Sequence, residues 1–139
     1  MSNIQEIEQE IVDEFSMFDD WMDKYEYIIE LGKSMEEFPS EERTEENLIK
    51  GCQSQVWFVA EERDGKLYFK ADGDAIITKG LAALMIKGFS GQSAKDIVNA
   101  ELTFIDEIGL SQHLSPTRSN GLLAMVKQIK MYALAYSAK

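Results

Sequence analysis

Cysteine occurs once in 139 residues, histidine once and proline twice. A lone thiol rules out an intrachain disulfide, a C-x-x-C redox pair and a four-thiolate metal centre. With one imidazole as the only other soft ligand, a structural zinc site lacks donors. Basic charge is also scarce: 14 Lys and Arg stand against 25 Asp and Glu, a formal net charge of −11. Phosphate backbones and anionic lipid surfaces are repelled by such a chain, which argues against nucleic acid and membrane as partners. Long apolar runs are missing too, since none approaches the roughly 20 residues of a membrane-spanning helix. The opening MSNIQEIEQEIVDEF is acidic where a secretory leader is basic and then apolar, so the expected location is the cytoplasm.

Apolar residues are not scarce. At 45% hydrophobic, the chain can bury one core, and its length suits a single domain over residues 1–139. Ile4, Ile7, Ile11, Phe15 and Phe18 recur at helical spacing, with Ser2 and Gln5 as a capping box. Asp19 and Asp20 offer caps for a second helix through Trp21, Tyr25, Ile28 and Ile29, which Gly32 is expected to end. The two helices form a hairpin. SMEEFPSEERTEEN, residues 34–47, holds six Glu and reads as a solvated acidic connection anchored by Met35 and Phe38.

QVWFVAEE and KLYFKA flank Asp64-Gly65, a type I′ turn signal in which both central residues need positive φ. A second Asp-Gly, Asp72 and Gly73, leads into AII and predicts a third strand in a meander. Helical composition returns over residues 78–87. Ser93 with Asp96 starts a short helix, FIDEIGL adds a turn or two, and Ser115-Pro116 opens a long terminal helix. Its apolar face carries Leu122, Met125, Val126, Ile129, Tyr132 and Tyr136. The expected fold is α+β: a small three-stranded antiparallel sheet with helices around it, an N-terminal helical hairpin and a long C-terminal helix.

The one cysteine stands in IKGCQSQVWF. A free Cys is most often a small buried hydrophobe, but Lys50, Gln53, Ser54 and Gln55 around Cys52 are polar, and Gly51 lets the chain turn. The expected position is a loop tip just before the first strand, with Gly51 as a hinge. A reactive thiol needs donors or positive charge that stabilise its thiolate. Gln53, Ser54, Gln55, Lys50 and Arg118 are candidates. With no second cysteine, an adduct on Cys52 must pass to another molecule or leave by hydrolysis, so a carrier and a hydrolase both fit. His113, in SQHLSP, is the one imidazole able to serve a Cys–His thiol hydrolase or acyltransferase. A binding module in which Cys52 is incidental is a third reading.

GCQSQVWF at 51–58 resembles the block around the acceptor cysteine of the SufE family, sulfur acceptors of iron–sulfur cluster biogenesis. DAIITKGL at 74–81, QHLSPTRSNGLLAM at 112–125 and KYEYIIELGK near the second helix resemble it as well. The resemblance implies that Cys52 takes persulfide sulfur from a SufS-like cysteine desulfurase, stimulates it by clearing its thiol, and delivers the sulfur to a SufB-like scaffold. It implies no cofactor in this chain, because the pyridoxal phosphate belongs to the desulfurase, and the scarcity of Cys and His argues against a metal. It also implies supporting roles for Arg118 beside the anionic sulfur and for Asp74 at the loop or partner contact, which join Gly51, Gln53 and Ser54 in the supporting set. A homodimer is left open.

Overall fold

The computed structural model describes residues 4–35, 37–49, 55–100 and 103–138. At its centre lies α3 (Ile76–Phe89), which buries Ile77, Leu81, Leu84, Met85 and Phe89 on nearly every side. A helix apolar all round belongs in the interior, and the other elements pack around it. α1 (Ile4–Ser16) and α2 (Trp21–Lys33) are joined by residues 17–20, with Asp20 accepting from the Asp23 N–H at 2.9 Å as the cap. They touch through Phe15 and Tyr27, whose rings meet edge-on at 5.3 Å. Glu14 of α1 accepts the Tyr27 hydroxyl and pairs with Lys87 of α3 at 3.0 Å, tying the three helices together.

Gly32 does not end α2, which runs one residue further to a cap at Ser34. Gly32 instead lets two helices approach. A Cβ on it would lie 2.8 Å from the Gly80 nitrogen of α3, and a Cβ on Gly80 would run into the Ile28 carbonyl oxygen.

The sheet has the order β1 (Val56–Arg63), β2 (Lys66–Gly73), β3 (Gln92–Ser93), antiparallel throughout. Asp64 and Gly65 carry φ of 54° and 80°, so the first Asp-Gly makes the expected turn. The third strand is not AII, because Ile76 and Ile77 open α3 and the strand comes after that helix. Asp72 and Gly73 do not turn back either: both are β2 residues, paired with Trp57 and Val56. The free edge of β2 is met by the end of α3, where the Ser90 hydroxyl accepts from the Phe69 N–H at 3.2 Å. Period-two alternation is absent from AIITKGLAALMIK, which is the signal against a strand there.

After β3, α4 (Ala94–Asn99) starts at Ser93, whose hydroxyl accepts from the Asp96 N–H at 3.2 Å. Two short helices follow, α5 (Thr103–Glu107) and α6 (Leu110–His113). α7 (Pro116–Ser137) is capped by Ser115, which accepts from the Arg118 N–H at 3.2 Å. Leu122, Met125, Ile129 and Ala133 face the core.

α7 also covers the outer edge of β1. The hydroxyls of Tyr132 and Tyr136 donate to the carbonyls of Phe58 and Ala60 at 3.0 and 3.4 Å. An edge strand with bare carbonyls invites pairing with another chain, and these tyrosines blunt it. Burial raises the Tyr132 pKa above the ordinary tyrosine value, so the hydroxyl remains a donor at neutral pH. Tyr132→Phe should cost about 1 kcal/mol in denaturant unfolding, the usual loss when a carbonyl loses its donor; an unchanged midpoint would mean that water replaces the hydroxyl.

Candidate functional site

Cys52, Gly51, Gln53, Ser54 and Lys50 lie outside the described residues. What the structure defines is the frame on which that segment is strung. The Ile49 N–H donates to the Val56 carbonyl at 2.8 Å, and Leu48 bridges Trp57 in antiparallel fashion. Residues 50–55 thus connect two stretches of chain that are paired like strands at their base. Gln55, exposed, is held by Asp74: the Asp74 carboxylate accepts from the Gln55 N–H at 3.0 Å, and the Gln55 carbonyl accepts from the Asp74 N–H at 3.0 Å. Asp74, distant from the cysteine segment in sequence, is therefore fixed against its exit.

Next to it, Asp72 is 8% exposed and anchors a charged cluster. Its Oδ2 meets Arg43 Nη2 at 2.6 Å and Nε at 2.7 Å. Its Oδ1 accepts from the Gly73 N–H at 2.9 Å and lies 3.5 Å from Lys79 Nζ of α3. Burial alone would raise the Asp72 pKa. The Arg43 and Gly73 hydrogen bonds and the two cations outweigh it and hold the carboxyl below its ordinary value. Sequence pattern does not single out Arg43 and Asp72, since an Arg among glutamates reads as part of a solvated stretch. The single cation in that stretch is the available signal.

Arg118 is exposed in the first turn of α7, its guanidinium 6.0 Å from the Tyr25 ring centre. The two tyrosine contacts show α7 and β1 running in the same direction. Four helical residues advance about 6 Å and two strand residues about 6.6 Å, so the register is kept. His113 stacks on Trp21 with ring centres 4.6 Å apart and 10° between planes, packing the end of α6 on α2. Phe58 is fully buried, as expected of a core strand residue, whereas Trp57 is half-buried on the opposite face.

A 240 Å³ cavity bordered by Met35, Val59, Tyr68 and Ile86 also takes in Glu61 and Arg63, so it reaches toward the hairpin end of the sheet. Among the described residues, no cluster of three or more His, Cys, Asp or Glu is placed to hold a metal ion, and no helix is long and apolar enough to cross a membrane.

The family model for the SufE Fe-S metabolism associated domain matches residues 9–133. An uncharacterized SufE-like protein of Rhizobium meliloti is 43% identical over 129 residues, covering 89% of this chain and 92% of its own. SufE-like protein 1, chloroplastic/mitochondrial, of Arabidopsis thaliana is 42% identical over 134 residues, covering 94% of this chain but 36% of its own. The solution structure of a hypothetical protein from Thermus thermophilus superposes with a TM-score of 0.80 at 18% identity, covering 96% of this chain and 97% of that one, which establishes a shared fold.

Proposed function

Because the chain belongs to the SufE family and so to Fe–S metabolism, we propose that it is a sulfur acceptor and carrier working through Cys52 in the cytoplasm. The Cys52 thiolate attacks the outer sulfur of a persulfide on a cysteine desulfurase. The donor S–S bond breaks, the desulfurase cysteine leaves as a thiolate, and Cys52 holds the sulfur as its own persulfide with no net oxidation or reduction. The same exchange then passes the sulfur to a cluster scaffold. Removing sulfur from the desulfurase frees its thiol for another cycle, which stimulates turnover.

The observation that carries this reading is the closed base of the 50–55 segment, pinned at Ile49–Val56 and at Gln55–Asp74. The residues on either side of the cysteine segment are thus held to one another, and with no second cysteine in the sequence an adduct on Cys52 leaves by transfer to another molecule or by hydrolysis, of which the family's role in Fe–S metabolism favours transfer. Arg118, in the first turn of α7, is the cation assigned to favour an anionic sulfur, and Asp74, bonded to Gln55, the residue assigned to hold the loop exit. Gly51, Gln53 and Ser54 complete the supporting set, as hinge and hydrogen-bond donors.

The hydrolase alternative requires His113 as base, and the Trp21 stack gives that imidazole a packing task instead. Alanine release by a cysteine desulfurase, measured with and without this chain, tests the choice. Stimulation is expected from the wild type and, to within about twofold, from His113→Ala, since a stacked surface ring contributes packing rather than chemistry. Loss of stimulation in a folded His113→Ala chain would favour the Cys–His reading.

A further inference from the structure

Between Phe38 and Ile49 the connection into the cysteine segment buries no residue. Residues 39–48 are therefore held against the domain by partial burial, at Pro39 and Leu48 among others, and by polar contacts rather than by a buried anchor of their own. The stretch is also strongly acidic, and Arg43 is its one cation between Lys33 and Lys50. Laid on a chain of net charge −11, such a segment is repelled unless a specific pair draws it in. Asp72 provides that pair at the end of β2, directly across from Trp57, the residue that Leu48 bridges. Lys79 brings α3 into the same cluster. Asn47, bonded back to the Glu42 carbonyl at 2.8 Å, stiffens the stretch between Arg43 and Leu48.

We infer that Arg43 is a positioning residue: through Asp72 it latches the 39–48 connection onto the sheet end and α3, and so sets the geometry from which Cys52 meets its protein donor. Both strands of the loop base depend on it. Leu48 and Ile49 enter from the latched connection, and Gln55 to Trp57 leave along β1, opposite Asp72 and its neighbours. Arginine suits the role because two of its nitrogens meet one carboxylate oxygen, a fork that a lysine ammonium cannot reproduce. Without the cation the connection loses its tie to Asp72 and α3 and is left to the Leu48–Trp57 bridge and its local bonds, which then open more often.

The activity part of this inference rests on the sulfur-carrier reading, whereas the dynamic part does not. The experiment is amide hydrogen exchange on wild type, Arg43→Met, Arg43→Lys and Asp72→Asn, with Lys87→Met as a control that weakens the distant Glu14–Tyr27–Lys87 network. Exchange at Leu48, Ile49 and Gln55 to Trp57 should speed up about tenfold in Arg43→Met, less in Arg43→Lys, and not in Lys87→Met, as expected for local rather than global opening. Arg43→Met and Asp72→Asn combined should be no worse than Asp72→Asn alone, because the Arg43 contact is already lost in that variant, which also weakens the Lys79 pair. In sulfur transfer, Arg43→Met should raise the desulfurase concentration needed for half-maximal rate several-fold and leave the maximal rate little changed, with partial rescue by lysine. Exchange at those amides equal to the Lys87→Met control, or additive effects of the two substitutions, would overturn the latch. If wild type accepts no sulfur from an active desulfurase, the carrier reading fails while the exchange data still decide the latch; if Arg43→Met does not fold, Arg43→Lys carries the test.

Discussion

Cys52→Ser should abolish sulfur acceptance and reduce desulfurase turnover to the level seen without this chain. Exchange at a sulfane sulfur needs a thiolate, and a serine hydroxyl at neutral pH is neither ionised nor able to form a stable persulfide-like adduct. With one cysteine in the sequence, no neighbouring thiol can substitute. The effect is therefore complete rather than graded. Serine differs from cysteine by one atom, so helix content and the melting transition serve as controls for folding. Stimulation retained by a folded Cys52→Ser chain would mean that the domain activates its partner by docking alone.

The largest expected effect on stability lies where α2 crosses α3. Gly32 and Gly80 bring the two backbones together, and a methyl on Gly80 would meet the Ile28 carbonyl oxygen, with the Ile28 Cγ2 at 2.8 Å and carbonyl carbon at 2.9 Å. Two of these contacts are backbone, so a side-chain rotation cannot relieve them. The helices must separate, and the loss extends to Ile28, Leu81 and Leu84, all fully or nearly fully buried. Helix propensity favours alanine over glycine by about 1 kcal/mol, but overpacking of a core commonly costs about 1–3 kcal/mol and more when backbone must move. Gly80→Ala should thus destabilise by about 3 kcal/mol, lowering the melting temperature by roughly 10 °C for a domain of this length. A melting temperature equal to or above that of wild type would show that the crossing relaxes freely. Gly32→Ala, at 2.8 Å from the Gly80 nitrogen, should behave alike.

That crossing also shows where sequence reading reaches its limit. Helix ends are legible wherever a side chain makes the cap: Asp20, Ser93 and Ser115 each accept the N–H that their position predicts. Glycine is ambiguous, because the same residue ends a helix or admits a neighbour, and only the three-dimensional partner decides. Gly32 reads as a stop for that reason. The second Asp-Gly misleads for a related one. At Asp64-Gly65 positive φ makes the turn, whereas Asp72 is engaged by Arg43 from 29 residues away, a pairing that local pattern does not encode. Around the site, Cys52 draws attention in the sequence as the single thiol, whereas the pairing of Asp74 with Gln55, 19 residues away, is visible only in three dimensions. Arg43 is hidden because charge runs ordinarily signify a solvated face.

Intact-mass spectrometry with peptide mapping tests the central claim most directly, after incubation with the cysteine desulfurase of the same organism, its pyridoxal phosphate and free cysteine. A gain of about 32 Da per sulfur atom, confined to the peptide bearing Cys52 and reversed by reductant, is the predicted result. No added mass on this chain while the same mixture releases alanine, or added sulfur that appears on the desulfurase alone, would contradict it.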